Sequence, residues 1–473
     1  MKGLLFSAVL LASPLSAAPE GIPTADAPAP PPEETKPEAP AAVDPRAASA
    51  SPEKKFLPAL LEVTFFNVFP NLWNRWVRGK EPVGWESWKE NLSRGFAYDP
   101  DKFTTNQLSH PQQGGLYYAA ARSNGWNLWE SALFTFYGSL TWEYFGETTR
   151  PSTNDLITTT LGGVSAGETS YRLSDLVLDN TATGFRRFLH ELAGLAISPG
   201  RILHRLTTGE AWRVAPNTGF ERPGWLDFEL AGGWIHVDST RDSDPAVLHY
   251  RAVLPMALDY GDPFERDLGK PFSTFHLGAE FTVGKAFVSL VQTEGLLAGR
   301  RLDLSGPART VIGATFVYDY LDVDLSFSQE AVGFGVWSRI PLAGRWDVLP
   351  RAELLGSFAA VRTSEDPAAT THRNYDYGIG GGLRAGVRLR RVGRDVAHLA
   401  LDHLFLSTVN GPTRWNEVTI ARGSAWWPLS RDFALGAEYT YHRHRNVFPE
   451  EAEIRTSRQV RILVSWAVFA GKP

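Results

Sequence analysis

The 473-residue chain contains no cysteine, which excludes disulfides, thiolate metal sites, thiol nucleophiles and the lipidated cysteine of a lipoprotein. Any chemistry must come from oxygen or imidazole groups. Positive charge is not in excess either: 47 Lys and Arg against 52 Asp and Glu leave a formal net charge of -5, so no global field exists to hold nucleic acid. After the N-terminal leader there is no run of 18 uncharged apolar residues, so no membrane-spanning helix is expected in the mature chain. A 43% apolar content is too high for a disordered chain, and a mean hydropathy of -0.20 is too low for a bundle of spanning helices. What the chain has in quantity is rings and glycine, with 16 Trp, 14 Tyr, 27 Phe and 43 Gly. That mixture suits membrane strands, with rings at the interfaces outside and close backbone approach inside.

Lys2, the apolar stretch from Gly3 to Leu15 and the small residues Ser16, Ala17 and Ala18 follow the order of a secretory signal peptide. Cleavage is expected near Ala17 or Ala18, giving a leader over 1–18 and an exported mature protein. From Pro19 to Pro52 there are 10 prolines among many Ala and Glu residues. Proline removes donors and fixes φ, so 19–55 is expected to be a semi-extended tether outside any core.

Residues 56–215 read as a periplasmic helical domain. The stretch from Trp126 to Glu147 lacks proline, carries Leu133, Phe136, Leu140 and Tyr144 at helical spacing, and sets Glu143 and Glu147 one turn apart on one face. After Pro151, Ser152 is placed to cap a second helix, with Asp155 reaching back to the cap amide. Gly162, Gly163 and Gly167 inside that helix each cost about 1 kcal/mol relative to Ala, which implies close packing. A third helix is expected from Phe185 to Ser198, with Phe188, Leu189, Leu192 and Leu195 turned inward and Pro199 ending it.

Several runs in this half carry a family resemblance: His110-Pro111-Gln112-Gln113-Gly114, Ala121-Arg122-Ser123-Asn124-Gly125, Trp142-Glu143-Tyr144-Phe145-Gly146-Glu147, Pro151-Ser152-Thr153-Asn154-Asp155-Leu156 and Tyr171-Arg172-Leu173-Ser174-Asp175. Together with Trp73-Asn74-Arg75 and Phe103-Thr104-Thr105-Asn106-Gln107 upstream, the segment from Leu57 to Glu210 resembles the family called domain of unknown function 3943. The resemblance implies an exported Gram-negative protein in which this segment precedes a strand-rich half, and it implies no established activity. One departure is Gln113, where members commonly place a second histidine after His110; the pair a metal site would use is therefore incomplete.

The candidate polar cluster of this half is His110, Arg122, Glu143, Glu147, Asn154, Asp155, Glu168, Tyr171 and Arg172. Two Glu spaced by four can converge on one ion, but the Glu-x-x-His pairs of di-iron bundles are missing. The expectation is no metal and no cofactor. Arg122 and Arg172 should neutralise the carboxylates, or Arg122, Tyr171 and Arg172 could grip a lipid headgroup or phosphate.

After Pro223-Gly224 the apolar period changes from about four to two. Leu248, Tyr250, Ala252, Leu254, Met256, Leu258 and Tyr260 alternate with polar or small residues, as do Tyr375 to Leu389 and Phe433 to Tyr441. Turn signals divide 220–470 into about 12 such strands, an even number suited to an outer-membrane barrel. Alternation alone does not separate a membrane barrel from a lipocalin-like one; strand number, strand length and ring-bearing ends such as Tyr250, Tyr260, Tyr375 and Tyr377 favour the membrane. The lumen should hold Arg251, Glu280, Arg351, Glu353, Arg384, Arg388, Glu438 and His442, in a charge network that pairs Arg351 with Glu353 and Glu280 with His276. An anion pore would require arginine to outnumber acids at its constriction. His403, Ser407 and Asn416 resemble the residues of barrel-wall phospholipases only loosely, since residues four apart on a strand are separated by about 13 Å.

The expected fold is therefore α+β: an N-terminal helical domain, then a C-terminal antiparallel transmembrane β-barrel of about 12 strands. The helices are expected to dock at or partly within the inner mouth. The expected role is structural, or the passage or recognition of a small or lipidic ligand by a monomer contacting outer-membrane lipid. The rivals are an outer-membrane hydrolase or acyltransferase and a soluble periplasmic carrier.

Overall fold

A computed structural model describes residues 53–77, 79, 83–240, 249–265, 268–283, 287–362 and 374–471. The leader expected over 1–18 and nearly all of the tether expected over 19–55 lie outside the described residues. Seven α-helices come first: α1 (Phe56–Trp76), α2 (Trp85–Arg94), α3 (His110–Ser123), α4 (Leu128–Phe145), α5 (Thr153–Val177), α6 (Gly184–Ile197) and α7 (Pro199–Thr207). A π-helical turn, Thr105–Ser109, leads into α3. Twelve strands follow: β1 (Leu226–Thr240), β2 (His249–Tyr260), β3 (Phe275–Thr282), β4 (Val288–Leu302), β5 (Arg309–Asp322), β6 (Ser326–Leu342), β7 (Trp346–Arg362), β8 (Tyr375–Arg391), β9 (Arg394–Asn410), β10 (Trp415–Pro428), β11 (Phe433–Val447) and β12 (Ala452–Gly471).

Each strand pairs antiparallel with its chain neighbour, and β1 closes on β12 from Leu226↔Gly471 to Thr240↔Thr456. Closure leaves no sheet edge unpaired, the condition for placing strands in hydrocarbon. The rim where β1 begins and β12 ends is here called basal, and the opposite rim distal. At the basal rim β8 and β9 are joined by Val392 and Gly393, both with positive φ (54° and 81°), the geometry of a two-residue hairpin turn that follows the strand twist.

Which face is inside follows from contacts that only a chord across the lumen allows. Arg384 on β8 bonds Glu294 on β4, Asp319 on β5 and Asp402 on β9, and Arg461 on β12 reaches Glu280 on β3. The alternate residues therefore face out, and on β6 to β12 and β1 they are exposed and apolar, as with Phe358, Ile379, Leu401, Phe405, Ile462 and Trp234. A closed barrel that is apolar outside and charged within is a transmembrane barrel of the outer-membrane type. Inside, the distal half is filled by the barrel's own side chains, an apolar cluster that includes Ile235, Val317, Phe327, Leu355, Leu404 and Ile420 interleaved with buried polar groups such as Gln329, His442 and Gln459.

The outer face of β3 to β5 and of the basal end of β2 is covered by the helical domain, whereas Tyr250 and Leu254 farther along β2 stay exposed. Thr293 pairs with Tyr318, and Tyr318 with Glu330 and thence Phe358, so these residues share the outward side. Ser165 of α5 nevertheless hydrogen-bonds Thr293, the Tyr318 hydroxyl donates to the Gln107 carbonyl at 2.5 Å, and the Asn106 amide donates to the Tyr375 and Tyr377 hydroxyls at 2.8 and 3.1 Å. At the basal rim Arg172 donates to the Pro271 carbonyl at 3.0 Å. The helical domain thus lies along the outer wall from one rim to the other. This corrects the expected docking at or within the inner mouth: alternation shows which residues share a face, not which stretch of that face a preceding domain covers.

Two glycine contacts explain how α5 lies so close. A Cβ on Gly163 would fall 2.6 Å from the Gly114 Cα, and one on Gly114 would fall 1.9 Å from the Thr159 carbonyl oxygen. The helix interiors accept the propensity cost of glycine because backbones touch there. The Ser152 hydroxyl caps α5 by accepting from the Asp155 amide at 3.2 Å. The expected return bond from Asp155 is not formed, because Glu143 takes the Ser152 amide at 2.6 Å.

Candidate functional site

The interior is layered. Below the apolar fill, Arg384 sits among Glu294, Asp319 and Asp402 at 3.2, 2.5 and 2.8 Å. Three carboxylates around one guanidinium are the reverse of what an anion-selective constriction needs. Basal to this layer is a cavity of about 360 Å³ lined by Arg351, Arg388, Arg390, His276, His398 and Asp259, with Glu294 at its floor and Trp225 and Trp337 in its wall. Arg388 and Arg390 both bond Asp259, at 3.1 and 3.2 Å; Arg390 also bonds Asp395 at 2.5 Å, and Arg351 bonds Glu294 at 2.9 Å. The vestibule therefore presents guanidinium and carboxylate groups in near balance.

Each lumen residue named from the sequence projects inward, but the expected pairings differ. Arg351 bonds Glu294, while Glu353 accepts from the Thr315 hydroxyl at 2.5 Å. Glu280 bonds Arg461, and His276 bonds Asp259 at 2.7 Å. Glu438 bonds Arg461 at 3.0 Å, Arg251 donates to the Val323 carbonyl at 3.0 Å, and the His442 ring packs edge-on against His444. Arg461 is a hub that the reading of alternation passed over, because it lies among the apolar residues of the last strand. His403 is exposed and bonds Thr419, whereas Asn416 is buried on the opposite face. With Ser407 no triad forms.

The helical polar residues fall into two groups. In one, Glu168 is fully buried and accepts from Arg122 (2.8 Å), Arg172 (2.7 Å) and Tyr118 (2.7 Å). Arg172 also bonds Glu221 at 2.8 Å, and the Tyr171 ring lies beneath the guanidinium groups of Arg122 and Arg201. In the other, nearer the distal rim, His110 bonds Thr159 at 3.1 Å and sits 3.6 Å from Asp155. Asn154 bridges Asp155 and Asp99, each at 2.8 Å, and Asn106 joins Asp99 at 2.7 Å. Glu143 has one oxygen on the Ser152 amide and the other without a partner, while Glu147 accepts from Trp142 and Thr149. Burial pushes Glu147 above its ordinary range, and it does the same to Asp101, with the neighbouring Asp99 charge adding to the shift.

Of the carboxylates named in the cluster, Arg122 and Arg172 thus neutralise only Glu168. Among the described residues Glu143, Glu147 and Asp155 have no arginine partner, contrary to expectation, because α3 and α5 run side by side and place Arg122 beside Glu168, far down the helix from Asp155. Among the described residues no group of three or more His, Asp and Glu is arranged to hold a metal ion. The seam residues Asn106, Gln107, Tyr318, Glu330, Tyr375 and Tyr377 were not in the expected cluster. Tyr375 and Tyr377 were expected at the lipid interface and instead are buried beneath Phe103 and Tyr98. The run from Phe103 to Gln107 was the available signal.

Similar solved structures are outer-membrane barrels. The NanC porin is 9% identical, with a TM-score of 0.26, over 50% of this chain and 100% of that one. An outer membrane channel from Pseudomonas putida F1 is 12% identical (TM-score 0.25; 51% and 96% covered), and the anion-selective porin from Comamonas acidovorans is 9% identical (TM-score 0.23; 51% and 98%). The likeness is one of architecture alone. No curated protein matches the chain. Residues 95–200, which contain α3, α4, α5 and the Asn106 seam, match the family described as Domain of unknown function (DUF3943).

Proposed function

We propose that this outer-membrane barrel recognises a small polar ligand at its basal vestibule and does not conduct. The observation that carries this reading is the closed lumen: packed side chains, an apolar cluster with buried polar groups between, fill its distal half, and the Arg384 layer seals the level below. What remains is a blind cavity of about 360 Å³, within the size range of small-molecule sites. Its lining suits a ligand that carries both an acidic group, for Arg351, Arg388 and Arg390, and hydrogen-bond donors, for Asp259 and Glu294. In outer-membrane barrels chain ends and short turns lie on the periplasmic side, so the ligand would arrive from the periplasm. His110 is engaged with Thr159 and Asp155, and Glu143 with the Ser152 amide, inside the helical domain and away from the vestibule, which favours recognition over hydrolysis.

Two measurements on the refolded full chain test this. Planar-bilayer recording should show no steady conductance, and titration with small amino acids and hydroxy acids should change the fluorescence of Trp225 and Trp337, an effect lost in Arg388→Gln. Sustained single-channel currents from the unmodified protein would overturn the closed-lumen reading. A flat fluorescence response across both ligand classes would overturn the vestibule.

A further inference from the structure

The helical domain is built inside out. Its interior holds charge and amide: Glu62 accepts from Asn124 at 2.8 Å and bonds His204 at 3.1 Å, Arg205 bonds Glu191 at 2.7 Å, Arg201 bonds Asp175 at 2.6 Å, and Asn67 donates to the Gly138 carbonyl at 3.0 Å. Its exterior holds large apolar side chains. On α1 these are Leu61, Phe65, Phe69 and Leu72, and on α4 Leu133, at 69% exposure, and Phe136. A domain standing in water would place these the other way round.

We infer that α1 and α4 face bilayer hydrocarbon and continue the lipid-facing belt of the barrel where β3 to β5 and the basal end of β2 have surrendered theirs. Three observations select lipid as the occupant. The domain lies on the outer wall at barrel height, since α5 reaches from the Asn154 and Asn106 contacts near the distal rim to the Arg172 contact with Pro271 at the basal rim. The exposed stripe of α1 carries no charge between Glu62, which is buried, and Arg75, and its 21 residues span about 31 Å at 1.5 Å each, the thickness of a hydrocarbon core. Indole rings flank the ends of the stripe, Trp73 and Trp76 at one end and Trp126 and Trp129 at the other, as interfacial rings do. Among the described residues no helix is long and apolar enough to cross a membrane alone. Here none has to, because the polar side of each helix is satisfied by the domain's own interior and only the apolar side meets lipid.

The absence of cysteine gives a clean test. Leu72→Cys and Leu133→Cys in the full chain, nitroxide-labelled and reconstituted in phosphatidylcholine vesicles, are compared with Leu401→Cys on the barrel's outer face and with Leu304→Cys in the β4–β5 turn. At Leu72 and Leu133, collisions with oxygen should exceed those with a soluble nickel complex, matching Leu401 and reversing the order found at Leu304. Nickel dominance at both helix sites would overturn the inference by placing the stripe in water. Protection from both reagents would overturn it too, by revealing a protein partner or second copy. If a labelled variant fails to fold, quenching of unmodified tryptophan by brominated lipid, compared with a Trp129→Phe variant, decides the same question. Loss of about the share of quenching due to one exposed indole supports immersion, and no change refutes it.

Discussion

Replacing Arg384 with methionine keeps the apolar stem and removes the charge at the centre of the lumen layer. Arg384 is buried, at 4% exposure, and bonds three carboxylates. After substitution their fates differ. Glu294 keeps Arg351 at 2.9 Å and Asp402 keeps Arg422 at 3.7 Å, while Asp319 keeps the amides of Gln292 and Gln329 at 2.9 and 2.6 Å, neither of them charged. Leaving a buried charge without its partner costs about 3–5 kcal/mol, and here most of that cost falls on Asp319. The assay is urea unfolding in detergent micelles followed by tryptophan fluorescence, with gel mobility of unheated samples as a second probe. Arg384→Met should lose about 3–5 kcal/mol, and adding Asp319→Asn should return at least about 1 kcal/mol as coupling between direct partners. A single variant within about 0.5 kcal/mol of the parent, or a double variant whose effects simply add, would refute a layer held by this ion cluster.

Gly114→Ala and Gly115→Ala should separate despite being neighbours. A Cβ at position 114 meets the Thr159 carbonyl oxygen at 1.9 Å, whereas at 115 the nearest atom is 3.4 Å away. Unfolding midpoints should show a loss of about 1–3 kcal/mol or more for the first from overpacking, and no loss or a gain of up to about 1 kcal/mol for the second from helix propensity. Ser152→Ala removes the α5 cap and should cost about 1 kcal/mol in the same titration. Glu168→Gln leaves Arg122 and Arg172 without the carboxylate they share and should cost about 3–5 kcal/mol. Barrel mobility on an unheated gel will show whether that loss stays within the helices.

The strand half was legible because one physical rule governs it along its whole length. Leu383, Ala385 and Val387 alternate with Arg384, Gly386 and Arg388, and a two-residue period admits only one partition into faces. Strand number followed from turn signals, and the lumen residues followed from the partition. Pairing within the lumen was not legible. Arg384 meets Asp319 across three strands, and no local pattern encodes which chord a side chain takes. Arg461 shows the same limit, since it sits between Val460 and Ile462 and gains its role from Glu438 on the neighbouring strand and Glu280 on the far side of the closure.

The helical half was misread for a reason that the structure makes plain. Phe188, Leu189, Leu192 and Leu195 were expected to point inward, yet all four are exposed, while Arg187 and Glu191 beside them are buried and bonded to each other at 2.9 Å. Helical periodicity locates an apolar stripe but does not say which solvent it prefers; the inward assignment assumes that water lies outside. The chain carried a hint against that assumption in residues set at buried positions for polar reasons. Glu62, Asn67, Glu143, Glu168 and Glu191 lie between apolar residues at helical spacing, and in water-soluble helices such residues would lie on the wet face. Once the outer wall of β3 to β5 is seen to be covered, the two halves obey a single rule. Strands and helices alike turn polar groups toward the protein and apolar groups away from it, so one hydrocarbon-facing surface runs from the barrel onto the domain beside it.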